Sequence, residues 1–225
     1  MAAARPLVIA LVSGGLDSAV CLAEAVRDHE VAALHINYGQ RTEARELQAF
    51  HALADHYGLA RRLVADISYL REIGGSSLVD AALPVETGLP DGSGGIPSTY
   101  VPFRNAHILC VGASWAEVIG AGALYIGAVE EDSSGYPDCR REFYDAFTAA
   151  IDAGTKPATR IAIRTPLIAL DKGAIVRRGL ELGAPLHLTW SCYTESDRAC
   201  GACESCRLRL RGFAAAGVAD PIPYR

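Results

Sequence analysis

Five short apolar runs, at residues 7–12, 31–36, 63–65, 123–128 and 161–163, recur along the chain without the in–out alternation of a half-exposed strand. A strand that is apolar on both faces must be covered on both faces, and a parallel sheet with helices above and below does this. The stretches at 18–27, 43–57, 106–119, 141–153 and 172–182 are plausible helices. The alternation predicts an α/β fold: a doubly wound, mostly parallel, Rossmann-like sheet whose ligands bind beyond the carboxyl ends of the strands. Functional loops should therefore follow strands.

Residues 106–129 are apolar enough to imitate a membrane span, but His107, Glu117, Gly120 and Gly122 interrupt them. A spanning helix needs about 20 residues with few or no charges, so a buried helix running into a buried strand is expected instead. The N-terminus lacks the long apolar region of a secretory signal. A length of 225 residues suits one large domain with a small appendage, divided here as 1–185 and 186–225. The net charge of -5 argues against a surface that grips nucleic acid through clustered basic groups. A cytoplasmic protein handling small molecules, with neither nucleic acid nor membrane as partner, is the expectation. Residues 74–98 contain six Gly, three Pro and four Ser, and a loop of that length and composition is expected to be mobile and to lie beside the site.

Ser13-Gly14-Gly15-Leu16-Asp17-Ser18 stands between the first apolar run and the first helix. Paired glycines let the backbone turn tightly and bring successive N–H groups toward an anion, while the helix adds the positive end of its dipole. Such a loop is a phosphate cradle. It has neither the lysine of the common ATPase loop nor the Gly-x-Gly-x-x-Gly of dinucleotide folds. The plainer role for Asp17 or Ser18 is to cap the helix. An aspartate beside phosphate calls for a cation such as Mg2+ between them.

Seven cysteines are an odd count, and four of them, Cys192, Cys200, Cys203 and Cys206, fall within fifteen residues. In a reducing compartment such clustering means metal more often than disulfides. Four thiolates with no open position describe a closed tetrahedral zinc site of structural type; a four-cysteine iron–sulfur cluster has compatible spacing. Arg207, Arg209 and Arg211 form the densest basic run and read as a solvated helix face beside that site.

Further motifs follow strands or close the long loop: Tyr38-Gly39-Gln40-Arg41, Tyr100-Val101-Pro102-Phe103-Arg104-Asn105, Ser134-Gly135-Tyr136-Pro137-Asp138-Cys139-Arg140 and Thr165-Pro166-Leu167. Arg104 offers a planar fork to a carboxylate or phosphate. The phosphate loop resembles the signature of the N-type ATP pyrophosphatases, whose fold is adenine nucleotide alpha hydrolase-like. Taken in order, with Trp115-Ala116-Glu117 and Trp190-Ser191-Cys192-Tyr193, the motifs resemble the 7-cyano-7-deazaguanine synthase family over nearly the whole chain.

That resemblance implies an ATP-dependent ligase that converts 7-carboxy-7-deazaguanine and ammonia into the nitrile, through an acyl adenylate and an amide. It implies that Ser13, Gly14, Gly15, Leu16, Asp17 and Ser18 hold ATP with Mg2+, and that the four clustered cysteines hold one structural zinc. Ser13, Asp17, Ser18, Arg104 and Lys172 are then the catalytic candidates. Tyr38, Gln40, Arg41, Tyr100, Arg104, Asn105, Tyr136, Asp138, Cys139 and Arg140 are the candidate substrate contacts. A homodimer is implied as well.

Two departures stand out: Phe103 where the family usually has glycine, and Thr42 where it commonly has histidine. A bulky Phe103 is expected to reshape the wall beside Arg104. The readings this leaves beside nitrile synthesis are a ligase that stops at the amide or couples the acid to another amine, including one on a protein, and a non-catalytic zinc-stapled nucleotide-binding protein.

Overall fold

Leu7–Leu11 (β1) is the central strand of a five-stranded sheet in a computed structural model that describes residues 4–85, 95–130 and 135–225. The chain continues through α1 (Leu16–Asp28), β2 (Glu30–Asn37), α2 (Glu43–His56), β3 (Arg62–Asp66), α3 (Tyr69–Ile73) and α4 (Arg104–Ile119). It closes with β4 (Ala123–Ile126), α5 (Arg141–Gly154), β5 (Ala162–Arg164), α6 (Lys172–Glu181) and α7 (Glu204–Ala215). The strand order is β3-β2-β1-β4-β5 and every pair is parallel, as the uninterrupted apolar runs predict. The order reverses between β1 and β4, so the loops leaving these two strands part to opposite faces and open a crevice at their carboxyl ends.

Successive β1 residues serve the two faces in turn. Ile9 and Leu11 pack with Leu109, Ala113 and Ala116 of α4, whereas Val8 and Ala10 pack with Ala19 and Leu22 of α1 and Phe50 and Leu53 of α2. Full burial of each large apolar side chain contributes about 1.5–3 kcal/mol, which pins the register of β1 against a one-residue slip. A third cluster joins α1 to α6 and α7 through Val20, Ile175, Val176 and Phe213.

Residues 106–129 resolve into most of α4, a left-handed turn at Gly120 and β4. No helix among the described residues is long and apolar enough to cross a membrane. The long Gly/Pro/Ser loop differs from expectation in its first part. Ser76, Ser77, Leu78 and Val79 are buried, and Arg41 ties them down by donating to the carbonyls of Ser77 (2.7 Å), Asp80 (2.9 Å) and Leu83. The expected mobility of this loop otherwise falls largely on residues 86–94, which lie outside the described residues, as does Ser134.

Arg209 also overturns the reading of a solvated basic face. It is 1% exposed, and its guanidinium donates to the Asp220 carboxylate at 2.7 and 3.0 Å and to Thr189 Oγ1 at 2.7 Å. Arg207 and Arg211 remain exposed. Spacing of three basic residues at i, i+2 and i+4 cannot share one helical face, and the middle one turns inward.

Candidate active site and metal centre

The loop after β1 leads straight into α1, whose N-cap is Gly15 and has no side-chain cap. Asp17 and Ser18 therefore lie inside the first turn, and neither plays the plain capping role. Ser13 Oγ accepts from Gly15 N–H at 3.2 Å and donates to Ser18 Oγ at 3.1 Å, which stiffens the turn. Gly14 adopts φ +91°, and a Cβ there would meet Glu46 O at 2.6 Å, so both conformation and space demand glycine. The unclaimed first-turn N–H groups and the helix dipole leave this end attractive to an anion.

Across from the loop, Lys172 at the start of α6 donates to both Asp17 oxygens, at 3.0 and 2.9 Å. A cation beside Asp17 was expected on electrostatic grounds; in the structure an ammonium of the chain itself takes that position. Gly127, just past β4, supports the loop from below: a Cβ there would stand 2.8 Å from the carbonyl carbon and oxygen of Asp17 and 2.9 Å from Ser18 N. Gly127→Ala is accordingly expected to displace the first turn of α1 by several tenths of an ångström, to lower kcat/KM about tenfold in steady-state kinetics and to cost about 1–3 kcal/mol of stability by urea titration.

The loop opens into a cavity of about 310 Å³. It is lined further by Tyr38, Glu46, Arg104, Asn105, Tyr136 and Cys139, and by Trp190, Tyr193 and Glu204 from the C-terminal segment. Arg104 donates to Tyr38 OH at 3.0 Å, and its guanidinium carbon sits 5.0 Å from that ring centre. Burial raises the carboxyl of Glu46 above its ordinary range, although Thr42 Oγ1 (2.8 Å) and Gln40 Nε2 (3.1 Å) both donate to it. Burial and the neighbouring Asp138 carboxyl push the Cys139 thiol up to about 11, so it is not a thiolate nucleophile near neutral pH.

The four clustered cysteines converge although they come from three turns of chain. Their sulfurs all lie within 4.8 Å of one another, and the Cys200 and Cys206 sulfurs are 3.9 Å apart. A zinc–thiolate bond of about 2.3 Å implies tetrahedral sulfur–sulfur edges of about 3.8 Å, so the cage has the size for one such ion. Burial alone would raise the Cys200 thiol, but N–H groups of Cys203 (3.3 Å) and Ala202 (3.4 Å) outweigh it and hold it below the ordinary thiol range. The cage is joined to the phosphate loop by a backbone bond from Trp190 N–H to Gly14 O at 2.8 Å.

Residues 7–217 match the protein family described as "Queuosine biosynthesis protein QueC". The chain belongs to the QueC family. Two curated relatives named 7-cyano-7-deazaguanine synthase, from Chlorobaculum parvum and Chlorobaculum tepidum, are each 57% identical over 96% of this chain and 95% of their own length. A third of the same name, from Koribacter versatilis, is 55% identical over 96% of this chain and 92% of its own.

Among the QueC candidate residues, Ser13, Gly15, Leu16, Asp17, Ser18, Tyr38, Arg104, Asn105, Tyr136, Cys139 and Lys172 line the cavity. Gly14, Gln40, Arg41, Tyr100, Asp138 and Arg140 are not part of the lining. Gln40 braces the turn after β2, accepting from Tyr38 N–H at 2.9 Å while it holds Glu46. Asp138 accepts from Asn105 N–H at 2.9 Å and so caps α4 from a distant loop; Tyr100 OH accepts from Phe103 N–H at 2.9 Å. Arg140 is exposed beside Glu142. Glu46, Gly127 and Glu204 were missed by sequence reasoning, and Trp190 and Tyr193 were read as part of a motif but not as site residues. For Glu204 the available signal was a carboxylate placed directly after a cysteine of the cluster.

Phe103 occupies φ 58°, the sole left-handed non-glycine among the described residues, so this position does use the backbone region that glycine favours. Its ring is 56% exposed, lies edge-on to Phe143 at 6.0 Å and is absent from the cavity lining, contrary to the expected reshaping of the wall beside Arg104. Phe103→Gly is expected to keep kcat/KM within about threefold and to leave the product unchanged by mass, as for exposed substitutions generally.

Proposed function

We propose that the chain is an ATP-dependent ligase that makes 7-cyano-7-deazaguanine from 7-carboxy-7-deazaguanine and ammonia. The observation that carries this is a single cavity lined both by the uncapped first turn of α1 and by Arg104, whose guanidinium is held by Tyr38. The names of the relatives, at 57% identity, support the same reading. In it, a carboxylate oxygen of the acid attacks the α-phosphorus of ATP and pyrophosphate leaves. Ammonia then adds to the acyl carbon, AMP leaves, and a proton is lost to give the amide. The amide oxygen then attacks the α-phosphorus of a second ATP and pyrophosphate leaves, and departure of the AMP with loss of two protons from nitrogen leaves the nitrile.

A carboxylate is a poor electrophile because its leaving group would be oxide; adenylation substitutes a phosphate ester. The work left to the protein is orientation and charge stabilisation. Backbone N–H groups of the α1 turn receive phosphate oxygens, Lys172 and Arg104 offset negative charge, and Tyr38 fixes the Arg104 plane. Mg2+ bound with ATP would further neutralise the phosphates, and Asp17 would hold it in this chain by giving up one of its two bonds to Lys172.

We further propose one structural zinc per chain, held by Cys192, Cys200, Cys203 and Cys206. Four sulfurs within 4.8 Å surround a single ion more readily than a cube of iron and sulfide, whose irons would each draw one thiolate outward. A cytoplasmic homodimer acting on free small molecules completes the reading. Purified protein incubated with ATP, Mg2+, ammonium and the acid should yield the nitrile with AMP and pyrophosphate by mass spectrometry. Accumulation of the amide alone, or no AMP with the acid present, would overturn the assignment.

A further inference from the structure

Two polar atoms on the cavity lining are buried without a hydrogen-bond partner among the described residues: Nε of Arg104 and Oε1 of Glu204. One is a donor and the other an acceptor. Glu204 is 7% exposed, and its second oxygen accepts from Thr99 Oγ1 at 3.2 Å, which in turn meets Tyr136 OH at 2.6 Å. A buried acceptor with nothing to accept is costly, and such a cost persists in a site when a ligand removes it.

From this geometry we infer that Glu204 is the specificity residue for the amino edge of the base. The inference rests on the proposed reaction. A guanine-type ring presents two adjacent donors, the ring N–H and the exocyclic amine, and a carboxylate presents two adjacent acceptors. An adenine-type ring presents a donor beside an acceptor, whose lone pair would face the carboxylate. Oε1 is open, and Oε2 keeps a second lone pair beside its bond from Thr99.

Glu46, another carboxylate on the lining, is less suited to this task because each of its oxygens already accepts a hydrogen bond, from Thr42 and Gln40, and neither is unclaimed as Oε1 of Glu204 is. Flat partners for a ring are at hand, since Tyr136 and Tyr193 line the same cavity. Glu204 also lies between the ligating Cys203 and Cys206, so the metal loop sets where its carboxylate stands.

The test compares 7-carboxy-7-deazaguanine with the same acid lacking the exocyclic amine, by calorimetric affinity and by kcat/KM, in wild type and in Glu204→Gln. Wild type should prefer the amino acid-base by about 100-fold, and the Gln variant should lose most of that preference through a raised KM for the amino form alone. Metal content and circular dichroism report whether the variant is folded; if it is not, Glu204→Asp, which withdraws the carboxylate by one methylene, serves the same comparison. Equal losses for both acids, or an unchanged preference, would overturn the inference while leaving the proposed reaction intact. A wild-type protein that binds and converts neither acid would overturn the proposed function, and this inference with it.

Discussion

Cys206→Ser should yield a chain that retains little metal and is less stable by more than about 3 kcal/mol, with activity lost alongside. Metal affinity at a closed thiolate site is itself folding free energy, because no preformed cage exists in the unfolded chain. Cys206 is fully buried, Cys192 and Cys203 nearly so, and they pack with Trp190, Ala199 and Ile222. Without the ion, four polar sulfurs would have to be accommodated within 4.8 Å of one another in an apolar cluster. Activity falls with stability because Trp190, Tyr193 and Glu204 of the same segment line the cavity. Atomic emission on purified protein, urea titration and the nitrile assay read the three effects. A metal-free variant of unaltered stability would contradict the assignment.

Arg209→Met should cost about 3–5 kcal/mol. Both partners of the Arg209–Asp220 pair are almost wholly buried, with side-chain exposures of 2% and 3%, and the bonds are 2.7 and 3.0 Å. Removing the guanidinium strands the carboxylate in a low-dielectric setting, leaving, among the described residues, Tyr224 OH (2.7 Å) and Ile222 N–H (3.2 Å) to face it. The arginine also donates to Thr189 Oγ1 and to Leu186 O, so it joins α7 to the chain that precedes the metal loop. Replacing both members, Arg209→Met with Asp220→Leu, should recover most of the loss, since a buried pair contributes little net stability relative to apolar residues of similar volume. Urea midpoints at constant slope measure both steps. A loss below about 1 kcal/mol for Arg209→Met would mean that water or a neighbouring group neutralises Asp220.

The legible parts of the site were the short-range ones. Ser13 to Ser18 could be read as a phosphate cradle because turn, glycine pair and helix start are consecutive, and the cysteine cage because its four members lie within fifteen residues. Arg41 and Asp138 were read as ligand contacts, but the structure has them holding protein backbone, Arg41 the carbonyls of residues 77–83 and Asp138 the start of α4. A polar residue in a motif looks the same from sequence whether its partner is a ligand or a distant carbonyl.

The sequence by itself determined the class of sheet and the places of the Gly-Gly turn and of the cysteine cluster, because apolar runs, glycine conformations and cysteine spacing act over a few residues. Only the tertiary structure decided that Lys172 meets Asp17 across 155 residues, that Arg209 turns inward while Arg207 and Arg211 do not, and that Glu204 ends in the cavity with an oxygen unclaimed. Those outcomes depend on the rotational phase of α6 and α7 against α1, which is set by the packing of Val20, Ile175, Val176 and Phe213 into one cluster. Local chemistry selects the parts, and long-range packing selects which of them face each other.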